Sequence, residues 1–90
     1  MKHLILYSRA GCCLCEGLQS RLRALALLGL SIELTVIDID APSTPQELKA
    51  RYDLEVPVLA LDGCELPRVS PRLMGEGLLN WLQRCLSTAL

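Results

Sequence analysis

The 90-residue sequence contains no phenylalanine, and only 3% of it is aromatic. Its core must therefore be aliphatic, and the leucines that recur along the chain supply it. It also lacks a charge bias, since nine Lys and Arg stand against ten Asp and Glu. Without a basic stripe or aromatics to stack bases, a nucleic-acid partner is not expected. No long apolar run is present either. The longest, residues 24–32, is fenced by Arg23 and Glu33, far short of the roughly 20 residues that span a bilayer. The opening Met1-Lys2-His3 leads into an apolar stretch too short for a secretory h-region. An odd count of five cysteines fits poorly with a secreted disulfide scaffold. These absences point to one cytosolic domain with its thiols in a reducing compartment and no membrane contact. A monomer is the expectation, though none of these absences bears on oligomeric state.

What the sequence does have is a cluster. Y-S-R-A-G-C-C-L-C-E-G-L, from Tyr7 to Leu18, puts three cysteines into four positions. It falls where a strand-like run, residues 3–7 (H-L-I-L-Y), gives way to a helical period. Cys15, Leu18, Leu22, Leu25 and Leu28 recur three or four apart on one helix face, and Gly29 sits where a C-cap belongs. Residues 32–40 (I-E-L-T-V-I-D-I-D) form the clearest strand. Thr44-Pro45-Gln46-Glu47 has the form of a capping box with Pro at the first helical position, opening a short helix to about Tyr52. Residues 56–61 (V-P-V-L-A-L) make a third strand, Asp62-Gly63 a hairpin turn and residues 65–69 the returning strand. Ser70-Pro71 opens a last helix, with Leu78, Leu82, Cys85, Leu86 and Ala89 on its apolar face.

The order β-α-β-α-β-β-α follows. Its first crossover is long enough to join parallel strands, and the final hairpin is antiparallel. The predicted fold is an α/β sandwich, a mixed four-stranded sheet with helices on both faces.

Cys12 and Cys15 are spaced C-x-x-C. On a helix beginning near Cys12, residues three apart share a side, so the two sulfurs can meet. A helix N-terminus offers unpaired N–H groups and a partial positive charge. A thiolate placed there is stabilised, and its pKa falls from the free value of about 8.5. Cys12 is thus the candidate nucleophile, and Cys15, one turn in and more buried, the resolving thiol. Arg9 either adds a cation beside Cys12 or is a solvated loop charge. Cys13 points away from Cys15 and is a bystander or an extra thiol open to modification. Cys64 follows a turn and reads as inert, Cys85 and Trp81 as packing residues, and the lone His3 as structural. A metal reading stays open beside the redox one, because Cys12, Cys13 and Cys15 supply thiolates to zinc, copper or a cluster shared between subunits. Against it, structural zinc needs four ligands and this chain has one pair.

The strand-S-R-x-G-C-x-x-C-helix opening, with the later V-P-V ahead of a D-G hairpin, resembles the glutaredoxin-like branch of the thioredoxin superfamily. The resemblance covers nearly the whole chain and implies a thioredoxin-like fold and a thiol–disulfide oxidoreductase needing no bound organic cofactor. Its partners would be protein disulfides or thiols, with glutathione as a possible co-substrate. It also implies a cis peptide at Val56-Pro57 facing Cys12, the Val56 backbone serving as an edge where an extended substrate adds as a strand. Arg9, Val56 and Pro57 are then the substrate-binding candidates. Glutaredoxins that grip glutathione carry a glycine pair and an acidic residue after the third strand. Residues 64–70 read C-E-L-P-R-V-S instead. The Cys13-Leu14 dipeptide is neither Pro-Tyr nor Gly-Pro, and no Trp precedes Cys12, which sets the chain apart from true thioredoxins. The other outcome compatible with this fold is a binding module that has lost turnover and delivers a metal or iron–sulfur group.

Overall fold

The computed structural model of the chain describes residues 2–88. Strand β1 (Lys2–Ser8) leads to helix α1 (Cys13–Ala24), which tightens into a 3-10 turn at Leu25–Leu28. Strand β2 (Ile32–Asp38), helix α2 (Gln46–Tyr52), strands β3 (Val58–Leu61) and β4 (Cys64–Glu65), and helix α3 (Gly75–Thr88) complete the expected order. The sheet runs β2-β1-β3-β4. β1 pairs in parallel with β2 from Lys2↔Ile32 to Ser8↔Asp38, and β3 is antiparallel to both β1 and β4.

Strand alternation sorts the core onto two faces. Leu4 and Leu6 of β1 lie opposite Leu61 and Leu59 of β3. These four pack with Leu18, Leu22 and Leu25 and with Leu78 and Leu82 of α3. On the other face Val58 joins Ile39 and Tyr52, with Tyr7, Leu48 and Val56 against them. The Tyr7 and Tyr52 rings stack at 4.6 Å. Two of the chain's three aromatics thus seal the end of the sheet where β1 hands over to α1. Burial of Tyr52 pushes its phenol upward in pKa.

Several boundaries differ from the sequence reading. Leu28 is 47% exposed instead of facing the core, because a 3-10 turn advances three residues per turn and rotates it off the buried stripe. Gly29, at φ 89°, then caps that turn. β2 stops at Asp38, where the Ala41 N–H returns to the Asp38 carbonyl and the Asp40 N–H donates to Asp38 Oδ1. No capping box forms at α2. The Thr44 hydroxyl instead donates to the Asp38 carbonyl at 2.6 Å, and Pro45 stands as the N-cap without a side-chain hydrogen bond.

The hairpin turn is as expected, with Asp62 and Gly63 at φ 49° and 87°, the pair of positive values that a type I′ turn needs. β4 is far shorter than residues 65–69. The Leu66 N–H still reaches the Leu59 carbonyl at 2.8 Å, but the next rung in that register needs an N–H from Pro57, which has none. The last helix starts at Gly75, not Ser70-Pro71. Ser70 Oγ accepts from the Arg72 N–H and its carbonyl from the Leu73 N–H, closing a turn, and Gly75 sits at φ 57°. Leu78 and Leu82 are fully buried as expected, while Cys85 and Leu86 are half-buried. Ala89 lies outside the described residues. No helix among them is long and apolar enough to cross a membrane.

Candidate active site

The junction between β1 and α1 gathers the chemistry. Gly11, at φ 77°, turns the chain into the helix with open space where a Cβ would stand. The Cys12 N–H returns to the Arg9 carbonyl at 3.3 Å. Cys12 is then the N-cap of α1, with extended dihedrals, and its Sγ accepts from the Cys15 N–H at 3.2 Å. Its carbonyl takes the first helical bond, from the Glu16 N–H. The sulfur therefore occupies the position that a Ser or Asp oxygen fills at most helix starts.

Cys12 and Cys15 are joined as a disulfide with their Cα atoms 5.2 Å apart. Cys12 is half-buried, whereas Cys15 is fully buried. Cys13 is exposed, so the outermost of the three cysteines does not converge with the pair. Among the described residues no three His, Cys, Asp or Glu side chains form a metal-binding group. Cys64 is exposed on the β3–β4 hairpin, and burial pushes the Cys85 thiol up in pKa. His3 Nε2 lies 2.6 Å from Thr35 Oγ1 across the β1–β2 pair.

The Val56–Pro57 peptide is cis. It leaves α2 through a turn in which the Glu55 and Val56 N–H groups both donate to the Tyr52 carbonyl, and Pro57 immediately precedes β3. Pro57 shares a groove with Leu14 and Leu18 of α1 and with Arg68 and Val69 beyond β4. Leu14, the residue between Cys13 and Cys15, is half exposed on the rim of that groove.

Arg9 differs most from its sequence reading. Neither a solvated charge nor a cation left for Cys12, its guanidinium is held by two carboxylates. Nε donates to Asp40 Oδ2 at 3.0 Å and Nη2 to Asp40 Oδ1 at 2.9 Å. Nη2 also reaches Asp53 Oδ1 at 2.8 Å, and Nη1 donates to the Asp53 carbonyl at 2.9 Å. Hydrogen bonds from Arg9 hold the Asp40 carboxyl below its usual range, with Lys49 adding to the effect, and the same bonds raise the Arg9 pKa further. Asp40 and Asp53 escaped the sequence reading because they lie 31 and 44 residues from Arg9 and no spacing rule connects them.

A parallel β1–β2 pair, a cis proline leading into an antiparallel strand, and a disulfide at the first helix start define a thioredoxin-like fold. The family described as Glutaredoxin-like domain (DUF836) matches residues 3–83, and the chain belongs to it. An X-ray structure of target protein XcR50 from X. campestris is similar at 27% identity and TM-score 0.52, covering 90% of this chain and 96% of that one. A structure described as that of a malarial protein shares the fold at TM-score 0.62 and 15% identity, over 93% and 96% of the two chains. No curated protein shows significant similarity to the sequence.

Proposed function

We propose that this domain is a small thiol–disulfide oxidoreductase in which Cys12 and Cys15 are the working pair. The observation that carries this reading is the placement of Cys12 Sγ at the N-cap of α1, accepting the Cys15 N–H. A thiolate there gains from the N–H donor and from the positive end of the helix dipole. Cys15, buried one turn in, is bonded to it.

The cycle balances as a two-electron exchange. The Cys12 thiolate attacks one sulfur of a substrate disulfide, forming a mixed disulfide and expelling the first substrate thiolate, which takes up a proton. Cys15 loses its proton and attacks the Cys12 sulfur, which closes the Cys12–Cys15 disulfide and releases the second substrate thiol. The substrate is reduced and the protein oxidised. A thiol or dithiol partner, whether a protein or glutathione, then runs the exchange backwards to restore the dithiol. Val56 and Pro57 form the docking edge for an extended substrate segment, with the groove between Leu14 and Val69 beside it. No bound organic cofactor takes part, and the cytosol, where thiols are kept reduced, suits the cycle.

The test is stoichiometric. The reduced protein, mixed with a peptide disulfide, should yield two substrate thiols per domain and an oxidised Cys12–Cys15 pair. Cys12→Ser should yield none, and Cys15→Ser should accumulate the mixed disulfide on Cys12. A Cys12→Ser variant that reduces the peptide as fast as the parent protein would end this reading. Zinc or iron retained stoichiometrically by the purified protein, and lost in Cys12→Ser, would favour a metal-delivery module instead.

A further inference from the structure

One guanidinium spans the site from wall to wall. Arg9 lies in the turn that carries Cys12, and its carbonyl accepts the Cys12 N–H. Its side chain crosses to Asp40, just past β2, and to both the side chain and the carbonyl of Asp53. Asp53 is the C-cap of α2 and opens the turn, hung from the Tyr52 carbonyl, that delivers Val56 and Pro57. The nucleophile's turn and the docking turn thus meet on a single planar fork.

The charges in this cluster cancel. Arg9 and Lys49 face Asp40 and Asp53, with contacts of 2.8–3.4 Å. A cation so closely matched by carboxylates has little field left to stabilise a thiolate. The side chains are also partly open to water, at 28% for Arg9, 40% for Asp40 and 49% for Asp53. Exposed ion pairs of this kind add little to global stability. What a bidentate guanidinium does add is fixed geometry, because both N–H vectors and both carboxylate oxygens are constrained at once.

We propose that Arg9 is a positioning residue, a bracket that holds the Cys12 turn and the Val56-Pro57 turn at the spacing an incoming disulfide needs. This rests on the oxidoreductase reading above. In this role Arg9 neither binds substrate nor tunes the sulfur. A lysine cannot replace it, since an ammonium is a point charge without the fork.

Arg9→Lys, Arg9→Gln and Asp40→Ala, measured with two readouts, separate the bracket from a cation acting on the thiolate. The first readout is kcat/KM for an extended peptide disulfide, which must dock. The second is the pH profile of Cys12 alkylation by a small reagent, which need not. The bracket predicts that all three variants lose about tenfold or more in kcat/KM, since misplacement of reacting groups by an ångström can cost that much. Their alkylation profiles should match the parent's. A cation on the thiolate gives the opposite pattern. Arg9→Lys would then behave as the parent, Arg9→Gln would move the alkylation inflection up, and Asp40→Ala, by unmasking the cation, would move it down and speed exchange. That pattern, or variants equal to the parent in both readouts, overturns the bracket while leaving the oxidoreductase reading intact. A parent protein unable to exchange with the peptide overturns both.

Discussion

Cys15→Ala isolates Cys12 without removing what stabilises it, because the donor at 3.2 Å is the residue 15 backbone N–H and not its thiol. A charge at a helix N-terminus gains about 0.3–1 kcal/mol, and up to about 2 in partly buried geometry. Cys12 is half-buried at the cap itself, so a gain near 1.4 kcal/mol is reasonable, which means about tenfold more thiolate at neutral pH. Each thiolate is also a weaker nucleophile. With a Brønsted slope of about 0.4–0.5, a tenfold gain in ionisation lowers intrinsic reactivity by about threefold. Cys12 in this variant should therefore alkylate about threefold faster than an unperturbed peptide thiol at neutral pH, and about threefold slower once both are fully ionised. The two profiles must cross. Tandem mass spectrometry after timed iodoacetamide quenches reads Cys12 apart from the exposed Cys13, its neighbour on the same peptide, by fragment ions that break between them, and from Cys64 by peptide. A Cys12 profile that superimposes on the reference peptide at every pH would refute the helix-start argument.

Other consequences follow from packing and charge. Leu82 is fully buried between α3 and the sheet, so Leu82→Ala should lower unfolding free energy by about 2–5 kcal/mol in a urea titration. Gly11→Ala meets no neighbouring atom but must hold φ 77°, so it should cost about 1–2 kcal/mol from backbone strain alone, again read by urea. Asp40 has its folded pKa lowered chiefly by Arg9 hydrogen bonds. Its stabilising contribution is therefore complete above the ordinary carboxylate pKa and is lost as pH falls through the lowered folded value. Asp40→Asn should flatten that acid limb in urea midpoints measured against pH. The Cys85 thiol, raised by burial, should alkylate appreciably only on the alkaline side of neutrality in the same mass-spectrometric experiment.

The order of elements was legible because each rests on a local pattern. The leucine period marks α1, the β-branched run marks β2, and Asp62-Gly63 marks the hairpin with the positive φ values it needs. The pairing of Cys12 with Cys15 was legible for the same reason, as both its spacing and its place at a helix start are local. The features that could not be read are set by partners distant in sequence. Thr44 looks like a cap, but its hydroxyl is taken by the Asp38 carbonyl. Residues 65–69 look like a strand, but the rung they need lies opposite Pro57, whose missing N–H ends the ladder. Ser70-Pro71 looks like a helix start, yet the Ser70 and Leu73 carbonyls turn to accept from Arg21 of α1. Arg9 reads as a lone loop charge until the fold brings Asp40 and Asp53 to it. The cis peptide ahead of β3 was expected only through family resemblance, since no local pattern marks it.

The central claim is that Cys12 and Cys15 open and close as a redox couple, and a redox titration tests it directly. The oxidised protein would be equilibrated with glutathione buffers and, separately, with a dithiol protein of known potential, then acid-quenched and alkylated to count thiols on Cys12 and Cys15. The account predicts one reversible two-electron transition confined to this pair, with a midpoint within about −270 to −120 mV, the span of dithiol proteins of this fold. A pair that stays closed across that range, or that releases thiols without re-forming the disulfide when the buffer is reversed, would contradict it.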